Sequence, residues 1–307
     1  MFVNAGAPSS GPKLLEQVIR VCRALHFSPR TSEAYVSWIR RYILFHNKRH
    51  PQTLTGDDVA SFLSNLANEH NVSASTQSQA ASALLFLYRE VLRVGIEWPT
   101  NVARPLKPRR LPTVLSQAEV AAVLAHLTGA KHLVASLLYG SGLRLLEALQ
   151  LRVKDISAER GELLVRAGKG GNDRVTMLPN AVKPALAAQL HVVGALHERD
   201  CSCGAGWVNL PAALANKSPG AGRELAWQYV FPAARLLRDE KAGQLRRYHL
   251  HESAVQRAVT DAVRASAIGK RATCHTFRHS FATHLLDAGY DIRTVQELLA
   301  TRTWRRR

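Results

Sequence analysis

The sequence is poor in cysteine and has no long apolar run, and each shortage excludes a class of protein. Its 307 residues include four cysteines, Cys22, Cys201, Cys203 and Cys274, and no Cys-x-x-Cys pair. A zinc ribbon or a disulfide scaffold is therefore not expected, and so few cysteines suit a reducing cytoplasm. No apolar stretch approaches the roughly 20 residues that a membrane-spanning helix requires. The sequence predicts a soluble, cytoplasmic protein with no metal site and no membrane partner.

Acidic residues are also scarce beside basic ones. The chain has 41 Lys+Arg against 23 Asp+Glu, which gives a formal net charge of +18. Such an excess favours a polyanionic partner, because cations that neutralise phosphates release condensed counterions. On charge alone, a basic protein with no nucleic-acid partner is the alternative. The length and the 46% hydrophobic content predict two packed domains rather than a disordered chain.

The first 95 residues show the periodicity of several amphipathic helices. Leu14, Val18 and Cys22 recur at helical spacing, and Thr55 can cap a helix whose apolar stripe begins at Val59. We expect residues 1–95 to form a helical domain. Residues 96–114 are predicted to be a proline-rich linker whose cations can follow a phosphate backbone; the cations are Arg104, Lys107, Arg109 and Arg110.

Residues 115–307 combine helical patterns with one predicted hairpin. Ser116 and Glu119 have the spacing of a capping box at the start of a helix. The apolar runs 163–165 and 175–177 flank a glycine-rich turn, which predicts a β-hairpin. Residues 200–245 are interpreted as irregular, and helical periodicity returns near Val255. The expected fold class is therefore mainly α with a small β-sheet (α+β).

Four basic residues stand out by their context in this second part. Arg144 precedes Glu147 by one helical turn, Lys169 lies at the tip of the predicted hairpin, and His275 and Arg278 share a helix face. Arginine forks can hold phosphate oxygens, a lysine can protonate a leaving oxygen, and a histidine can move a proton near neutral pH. Each residue taken singly has a plainer interpretation: a helix salt bridge for Arg144, a solvated turn for Lys169, a helix cap for His275.

Together the motifs resemble those of the tyrosine-recombinase family. Gly142-Leu-Arg144-Leu-Leu-Glu147 is similar to the family's first arginine box, and Gly168-Lys169-Gly170 with Arg174 to its hairpin lysine motif. His275-Thr-Phe-Arg278-His-Ser-Phe-Ala-Thr-His284 is similar to its second box almost letter for letter. The resemblance covers nearly the whole chain. It implies a DNA-clamping core-binding domain, a catalytic domain, and strand exchange without metal or cofactor. It also implies active-site roles for Arg144, Lys169, His275 and Arg278, with Glu147 in support.

One subfamily, the integron integrases, is the most similar. The segment near 200–250, with Trp227-Gln-Tyr229-Val-Phe-Pro and Arg246-Arg247-Tyr-His249, resembles the additional segment of these enzymes. The resemblance implies binding of folded single-stranded hairpin sites as well as double-stranded sites. Aromatic residues beside cations suit extrahelical bases, since every base has a face to stack on. Core packing of Trp227 is the alternative. DNA contacts are predicted for Trp227, Tyr229, Arg246, Arg247 and His249.

The resemblance stops after Leu299. The family continues through a histidine to a nucleophilic tyrosine, and here residues 300–307 read Ala-Thr-Arg-Thr-Trp-Arg-Arg-Arg. Neither Tyr248 nor Tyr290 has the family's spacing. Codons shifted by one base can encode Gly-His-Ala-Asp-Val-Ala-Thr-Thr, which suggests a frameshifted, aberrant tail. We therefore expect a cleavage-deficient recombinase. The alternatives are a non-catalytic protein that occupies recombination sites and an unstable product. The tetramer on DNA that the resemblance implies is in doubt for this chain.

Overall fold

The computed structural model of the chain describes residues 13–100, 102, 112–166, 173–240 and 242–299. Its packing divides the chain into two units, Met1–Arg110 and Leu111–Arg307. Among the described residues, no helix combines the length and the apolar character needed to cross a lipid bilayer. Several predicted features lie outside these ranges: the tail 300–307 and the site residues Arg104, Lys107, Arg109, Arg110 and Lys169.

The first unit is helical throughout its described elements. The Ser28 side chain caps α2, and the Thr55 N–H donates to the Asp58 carboxylate at 2.7 Å where α3 begins. The predicted apolar stripes pack into a core in which the hydroxyls of Tyr42 and Tyr88 lie 2.9 Å apart. The elements are α1 (Leu14–Ala24), α2 (Pro29–Phe45), a 3₁₀ turn (Pro51–Thr53), α3 (Gly56–Asn68), α4 (Ala74–Phe86) and a π-helical turn (Leu87–Leu92).

The second unit contains helices and two small antiparallel sheets in its described part, which confirms the α+β fold class. Its helices are α5 (Gln117–Ala125), α6 (Gly129–Gly140), α7 (Leu145–Leu149), α8 (Lys183–Ser202), α9 (Ala212–Lys217), α10 (Glu252–Ala265), α11 (Cys274–Asp287) and α12 (Ile292–Leu299). Its strands are β1 (Ile156–Ser157), β2 (Glu162–Val165), β3 (Arg174–Met177), β4 (Pro232–Arg238) and β5 (Leu245–His249). Its 3₁₀ turns are Val153–Asp155, Asn180–Val182, Pro219–Arg223 and Leu225–Trp227.

The core of the second unit is built around α6. The residues of α6 from Leu133 to Leu138 are buried, and the helix packs against α8, α10 and α11. Phe277 of α11 and Val259 of α10 are fully buried in the same cluster. The predicted capping box at the start of α5 is confirmed, because the Ser116 N–H donates to the Glu119 carboxylate at 2.7 Å. Burial of α6 and α11 fixes the helix that carries His275 and Arg278.

The predicted hairpin is confirmed by the pairing of β2 with β3. The two strands are antiparallel, with Leu163 opposite Thr176 and Val165 opposite Arg174. Leu163 and Thr176 are buried, and the Thr176 hydroxyl donates to the Ser141 carbonyl at 2.9 Å. This bond ties the hairpin to the turn that follows α6.

The interpretation of residues 200–245 as irregular is wrong in part. Helix α8 continues to Ser202, and β4 pairs with β5 in a second hairpin. Arginines occupy several positions of both strands, and a register shift interrupts the pairing between Pro232 and Leu236. Neither strand therefore shows the regular alternation of apolar and polar residues by which a half-buried strand is predicted.

Candidate active site

Arg144 enters the site through a turn that requires glycine. The chain leaves α6 and passes through Gly142, whose φ of +63° lies in the left-handed region. A Cβ at Gly142 would also lie 2.6 Å from the Phe281 ring and 2.8 Å from Leu299. The turn therefore accepts only glycine without a shift of its neighbours, and it brings Arg144 to the start of α7.

Glu147 is the carboxylate around which the arginines of the site gather. Its oxygens accept the Arg144 backbone N–H at 2.8 Å and the Arg144 Nη1 at 2.6 Å. Arg174 reaches the same carboxylate in a two-pronged contact, at 2.6 and 3.1 Å. Burial acts to raise the pKa of Glu147, but the hydrogen bonds and charges of Arg174 and Arg144 outweigh it and lower the pKa to about 2. Glu147 is ionised at neutral pH.

Arg278 is the most buried cation of the site, with 4% of its surface exposed. Its Nη1 and Nη2 donate to the carbonyls of Gly142 and Leu299, and Nη1 lies 3.6 Å from the Glu147 carboxylate. Burial and the charge of Arg144 lower the pKa of Arg278 to about 9, so the guanidinium remains charged at pH 7. Arg278 thus keeps its positive charge although almost none of its surface is exposed to solvent.

His275 faces the same site from the first turn of α11. Burial lowers the pKa of this imidazole, and the charges of His279, Arg278 and Arg144 lower it further. His275 is therefore neutral at pH 7 and can accept one proton and donate another. It lines a cavity of about 330 Å³ together with Arg144. Cys274 lines the same cavity, but burial raises the pKa of its thiol to about 11, which disfavours a thiolate nucleophile.

The structure thus brings together four predicted site residues, Arg144, Glu147, His275 and Arg278, while Lys169 lies outside the described residues. Their catalytic roles stay predictions. Sequence reasoning did not assign a site role to Arg174, which is the first residue of β3 and whose side chain is 7% exposed. Its signal in the sequence was weak, because an arginine near a glycine-rich turn is ordinarily a solvated residue.

The aromatic residues predicted to bind DNA lie around Arg152. This side chain donates to the Trp227 carbonyl at 2.7 Å and to the Tyr229 hydroxyl at 3.1 Å, and its guanidinium covers the Tyr229 ring. Tyr229 is buried, and His249 meets its ring edge-on. Trp227 is half-buried, with the Lys154 Nζ 2.7 Å from its ring centroid. The indole therefore has one face occupied by a cation.

Two neighbouring arginines of β5 have different environments. Arg247 is 5% exposed and holds the Asp200 carboxylate in a two-pronged contact at 2.6 and 2.8 Å. It also donates to the carbonyls of Ala233 and Ala234, so its guanidinium is committed to the interior. Arg246 is half-buried and pairs with Asp239 at 2.8 Å. Of the two predicted DNA contacts, only Arg246 has an accessible side chain.

Comparison with known proteins identifies the family. The model of the phage integrase N-terminal SAM-like domain matches residues 14–98, and the model of the phage integrase family matches residues 113–303. The chain belongs to the phage integrase family, whose members are tyrosine recombinases. An "Integrase/recombinase" of Escherichia coli is 47% identical over 292 residues, covering 95% of this chain and 87% of the relative. One of Pseudomonas aeruginosa gives the same values.

More distant members share the fold. The tyrosine recombinase XerA of Thermococcus kodakarensis is 28% identical over 276 residues, covering 89% of this chain and 80% of the relative. The structure of XerH bound to palindromic difH substrate matches with a TM-score of 0.61 at 20% identity, over 94% of this chain and 78% of that one. A lambda integrase tetramer bound to a Holliday junction matches with a TM-score of 0.62 at 16% identity, over 94% and 74%. At these identities, the two structures show a common fold.

Proposed function

We propose that this member of the family is an integron-type recombinase that binds one scissile phosphate in the Arg144–Arg278 site. The observation that carries the proposal is that Arg144, at the start of α7, and His275, in α11, line one cavity. Arg278 lies next to them, with Nη1 3.6 Å from the carboxylate of Glu147 that Arg144 also contacts. A phosphodiester gathers negative charge on its non-bridging oxygens as it reacts, and preorganised cations in a water-poor site stabilise that charge. DNA is the partner that this chemistry selects.

In this proposal the residues of the site have different roles in strand exchange. The two arginines hold the non-bridging oxygens, and neutral His275 exchanges a proton with the attacking or leaving oxygen. Lys169 protonates the departing 5′ oxygen. The covalent step needs a tyrosine hydroxyl that forms a 3′-phosphotyrosyl bond, and these 307 residues contain no tyrosine after Tyr290. A polypeptide of these residues therefore binds the phosphate without cutting the strand.

The integron-type assignment rests on the segment around Trp227. Lys154 and Arg152 hold the indole and the neighbouring Tyr229 in place, and Arg246 and His249 lie on the strand beside them. A half-buried indole with one face held by a cation is a rigid platform for an extrahelical base. In this proposal Trp227 contacts the base, and the buried Tyr229 supports the platform through the Arg152 guanidinium, which lies against both rings.

A hairpin-binding experiment tests this assignment. The protein selects hairpins from a random single-stranded DNA library, and each selected hairpin is compared with the same hairpin after its unpaired bases are removed. We expect the unpaired bases to improve the affinity about tenfold, and Trp227→Ala to abolish that gain, since one stacked base contributes on this scale. Equal affinity for both hairpins would reject the integron-type assignment.

For a polypeptide limited to these 307 residues we propose a second, non-catalytic function, since they contain no tyrosine after Tyr290. A protein that holds a recombination site without cutting it competes with an intact recombinase for that site. A nicked suicide substrate separates the two functions: a covalent protein–DNA adduct would establish an enzyme, and tight binding with no adduct would establish a binding protein. For a polypeptide of these 307 residues we expect binding with no adduct.

A further inference from the structure

Arg174 uses every nitrogen of its guanidinium inside the protein. Nη1 and Nη2 hold the two oxygens of Glu147, and Nε donates to the Leu298 carbonyl at 2.9 Å. The side chain is 7% exposed. Each guanidinium nitrogen of Arg174 thus has a partner inside the protein, and we expect Arg174 to affect the site through those partners.

The most important partner is the carboxylate of Glu147. A two-pronged contact fixes the plane of a carboxylate as well as its position. The same two oxygens set the direction of the other guanidinium groups, since Oε1 accepts from Arg144 and Oε2 lies 3.6 Å from Arg278. If the plane of Glu147 turns, Arg144 loses the acceptor that directs its guanidinium, and the ion pair of Glu147 with Arg278 changes.

Arg174 also joins three elements of the fold. It is the first residue of β3, its carboxylate partner is on α7, and its carbonyl partner is at the end of α12. Lys169 precedes it by five residues in the sequence. Arg174 thus joins the strand that follows the predicted proton donor to α7, the helix that Arg144 immediately precedes.

We propose that Arg174 is a positioning residue that sets the phosphate geometry of the site through Glu147. This inference rests on the proposed phosphate-binding function. It requires that loss of Arg174 weaken the hold on one particular phosphate, in addition to any loss of stability. A buried ion pair that only stabilised the fold would affect all DNA contacts alike.

The second arginine of the same hairpin supplies a matched control. Arg166 follows β2 and donates through Nε to the buried Asp155 carboxylate at 2.6 Å. Both arginines thus flank the glycine-rich turn and pair with a buried acid, but the Asp155 carboxylate contacts neither Arg144 nor Arg278 in the described contacts. Arg166→Gln therefore removes an ion pair to a buried acid beside the same turn, from a side chain that is 40% exposed, without touching the proposed phosphate site.

Replacing one DNA phosphate at a time with a neutral group measures how much each phosphate contributes to the affinity of the protein. The probe is a duplex that the full chain selects from a random library, resynthesised with a single methylphosphonate at each position in turn. In the parent protein, we expect one position in each half-site at which neutralisation weakens binding about 10- to 100-fold, because a charge-assisted two-pronged contact is lost there. A parent scan with no such position would overturn the proposed phosphate site itself.

The variants then decide the role of Arg174. We call the position at which neutralisation weakens binding most the marked position, and the loss of affinity there its penalty. In Arg174→Gln, this penalty is expected to fall to that of the neighbouring positions, whereas in Arg166→Gln it is expected to stay as in the parent protein. Arg174→Lys keeps the charge but loses the fork, so its penalty should lie between the two. The double variant Arg174→Gln/Glu147→Gln should show no smaller penalty than Glu147→Gln alone, because Arg174 acts through that carboxylate.

Two outcomes would overturn the inference while leaving the phosphate site intact. One is a full penalty at the marked position in Arg174→Gln. The other is an equal reduction in Arg166→Gln, which would show that any lost ion pair of the hairpin disturbs the site. If Arg174→Gln does not fold, Arg174→Lys decides by the same criterion: an undiminished penalty contradicts a positioning role.

Discussion

Two short segments of the second unit have similar sequences, but their arginine side chains have different environments. Arg144 and Arg152 lie eight residues apart, and each is followed three residues later by an acid, Glu147 or Asp155. In both segments the acid accepts the backbone N–H of its arginine, at 2.8 and 3.1 Å. The local sequence thus folds the same way twice, as a capped turn.

The arginine side chains account for the difference. Among the described contacts, the Arg144 side chain makes one hydrogen bond, to Glu147, and it lines the cavity with 25% of its side chain exposed. The Arg152 side chain donates to the carbonyls of Trp227 and Asn209 and to the Tyr229 hydroxyl. The Arg144 guanidinium therefore has N–H donors left for a binding partner, whereas the Arg152 guanidinium donates to groups inside the protein and stabilises the fold. A motif of arginine and acid therefore does not by itself mark a binding residue.

The largest expected effect is on the free energy of unfolding, when each of the two arginines is replaced in turn. Arg152→Met leaves two carbonyls and a hydroxyl without their donor, and we expect it to lower the free energy of unfolding by about 3–5 kcal/mol. Arg144→Met leaves Glu147 paired with Arg174, and we expect a loss of about 1 kcal/mol or less. Urea unfolding of the full chain at pH 7 measures both values.

DNA binding should rank the same two variants in the opposite order. Arg144→Met is expected to lose the penalty at the marked methylphosphonate position, since it removes a phosphate-holding guanidinium. A similar loss of stability in both variants, or a phosphate effect confined to Arg152→Met, would mean that the two arginines have been assigned the wrong roles.

Local patterns predicted the parts of this molecule that local physics decides. The capping residues Thr55 and Ser116 and the hairpin of β2 and β3 could be read from the sequence, because a cap or a hairpin depends on neighbours a few residues away. The convergence of Arg144, His275 and Arg278 was expected from the motifs that resemble the family. Composition and spacing alone supported each of these residues only weakly.

The remaining features depend on partners that are distant in the sequence. Arg247 can be buried because it pairs with Asp200, which is 47 residues away in the sequence. Arg174 belongs to the site because it pairs with Glu147, which is 27 residues away. No pattern within a helix or strand reports such a pairing. For the same reason β4 and β5 were missed, since their arginines find acceptors inside the protein and obscure the alternation of a strand.

An intermediate effect concerns the charge of Glu147. The pKa of this acid is about 2 in the folded protein against an ordinary value of 4.5, so its ionised form stabilises the fold. This contribution is complete above pH 4.5 and is lost as the pH falls through 4.5 toward 2. It amounts to about 3 kcal/mol. Glu147→Gln cannot ionise and lacks it at every pH.

The difference between two stability profiles isolates this contribution. We expect the free energies of unfolding of the parent and Glu147→Gln to differ most at neutral pH and to converge between pH 4.5 and 2. Urea unfolding at half-unit steps of pH measures the two profiles. A difference that stayed constant across this range would show that Glu147 stabilises the site by packing rather than by charge, and its turn would then resemble that of Asp155 more closely.

The smallest expected effect is on hairpin affinity, when Lys154 in the turn between Arg152 and Asp155 is replaced. Lys154 lies between Arg152 and Asp155 in the sequence, and its ammonium group covers one face of Trp227. Lys154→Met keeps most of the apolar stem and removes the charge, so the indole loses a cation–π contact of about 0.5–1 kcal/mol. We expect affinity for a hairpin with an unpaired base to fall about two- to fivefold.

The control for Lys154 is an exposed lysine elsewhere in the second unit, Lys270. Lys270 is exposed and pairs with Glu119 at 2.8 Å, so Lys270→Met removes the same charge from a lysine that does not contact Trp227 in the described contacts. Affinities of both variants for a hairpin with and without its unpaired base separate the two roles. If Trp227 is a base platform, only Lys154→Met loses affinity, and only for the hairpin with the base. If Trp227 only packs in the core, Lys154→Met lowers the stability of the protein and has the same effect on the affinity for both hairpins. The orientation of the indole cannot then affect binding, because the ring contacts no base.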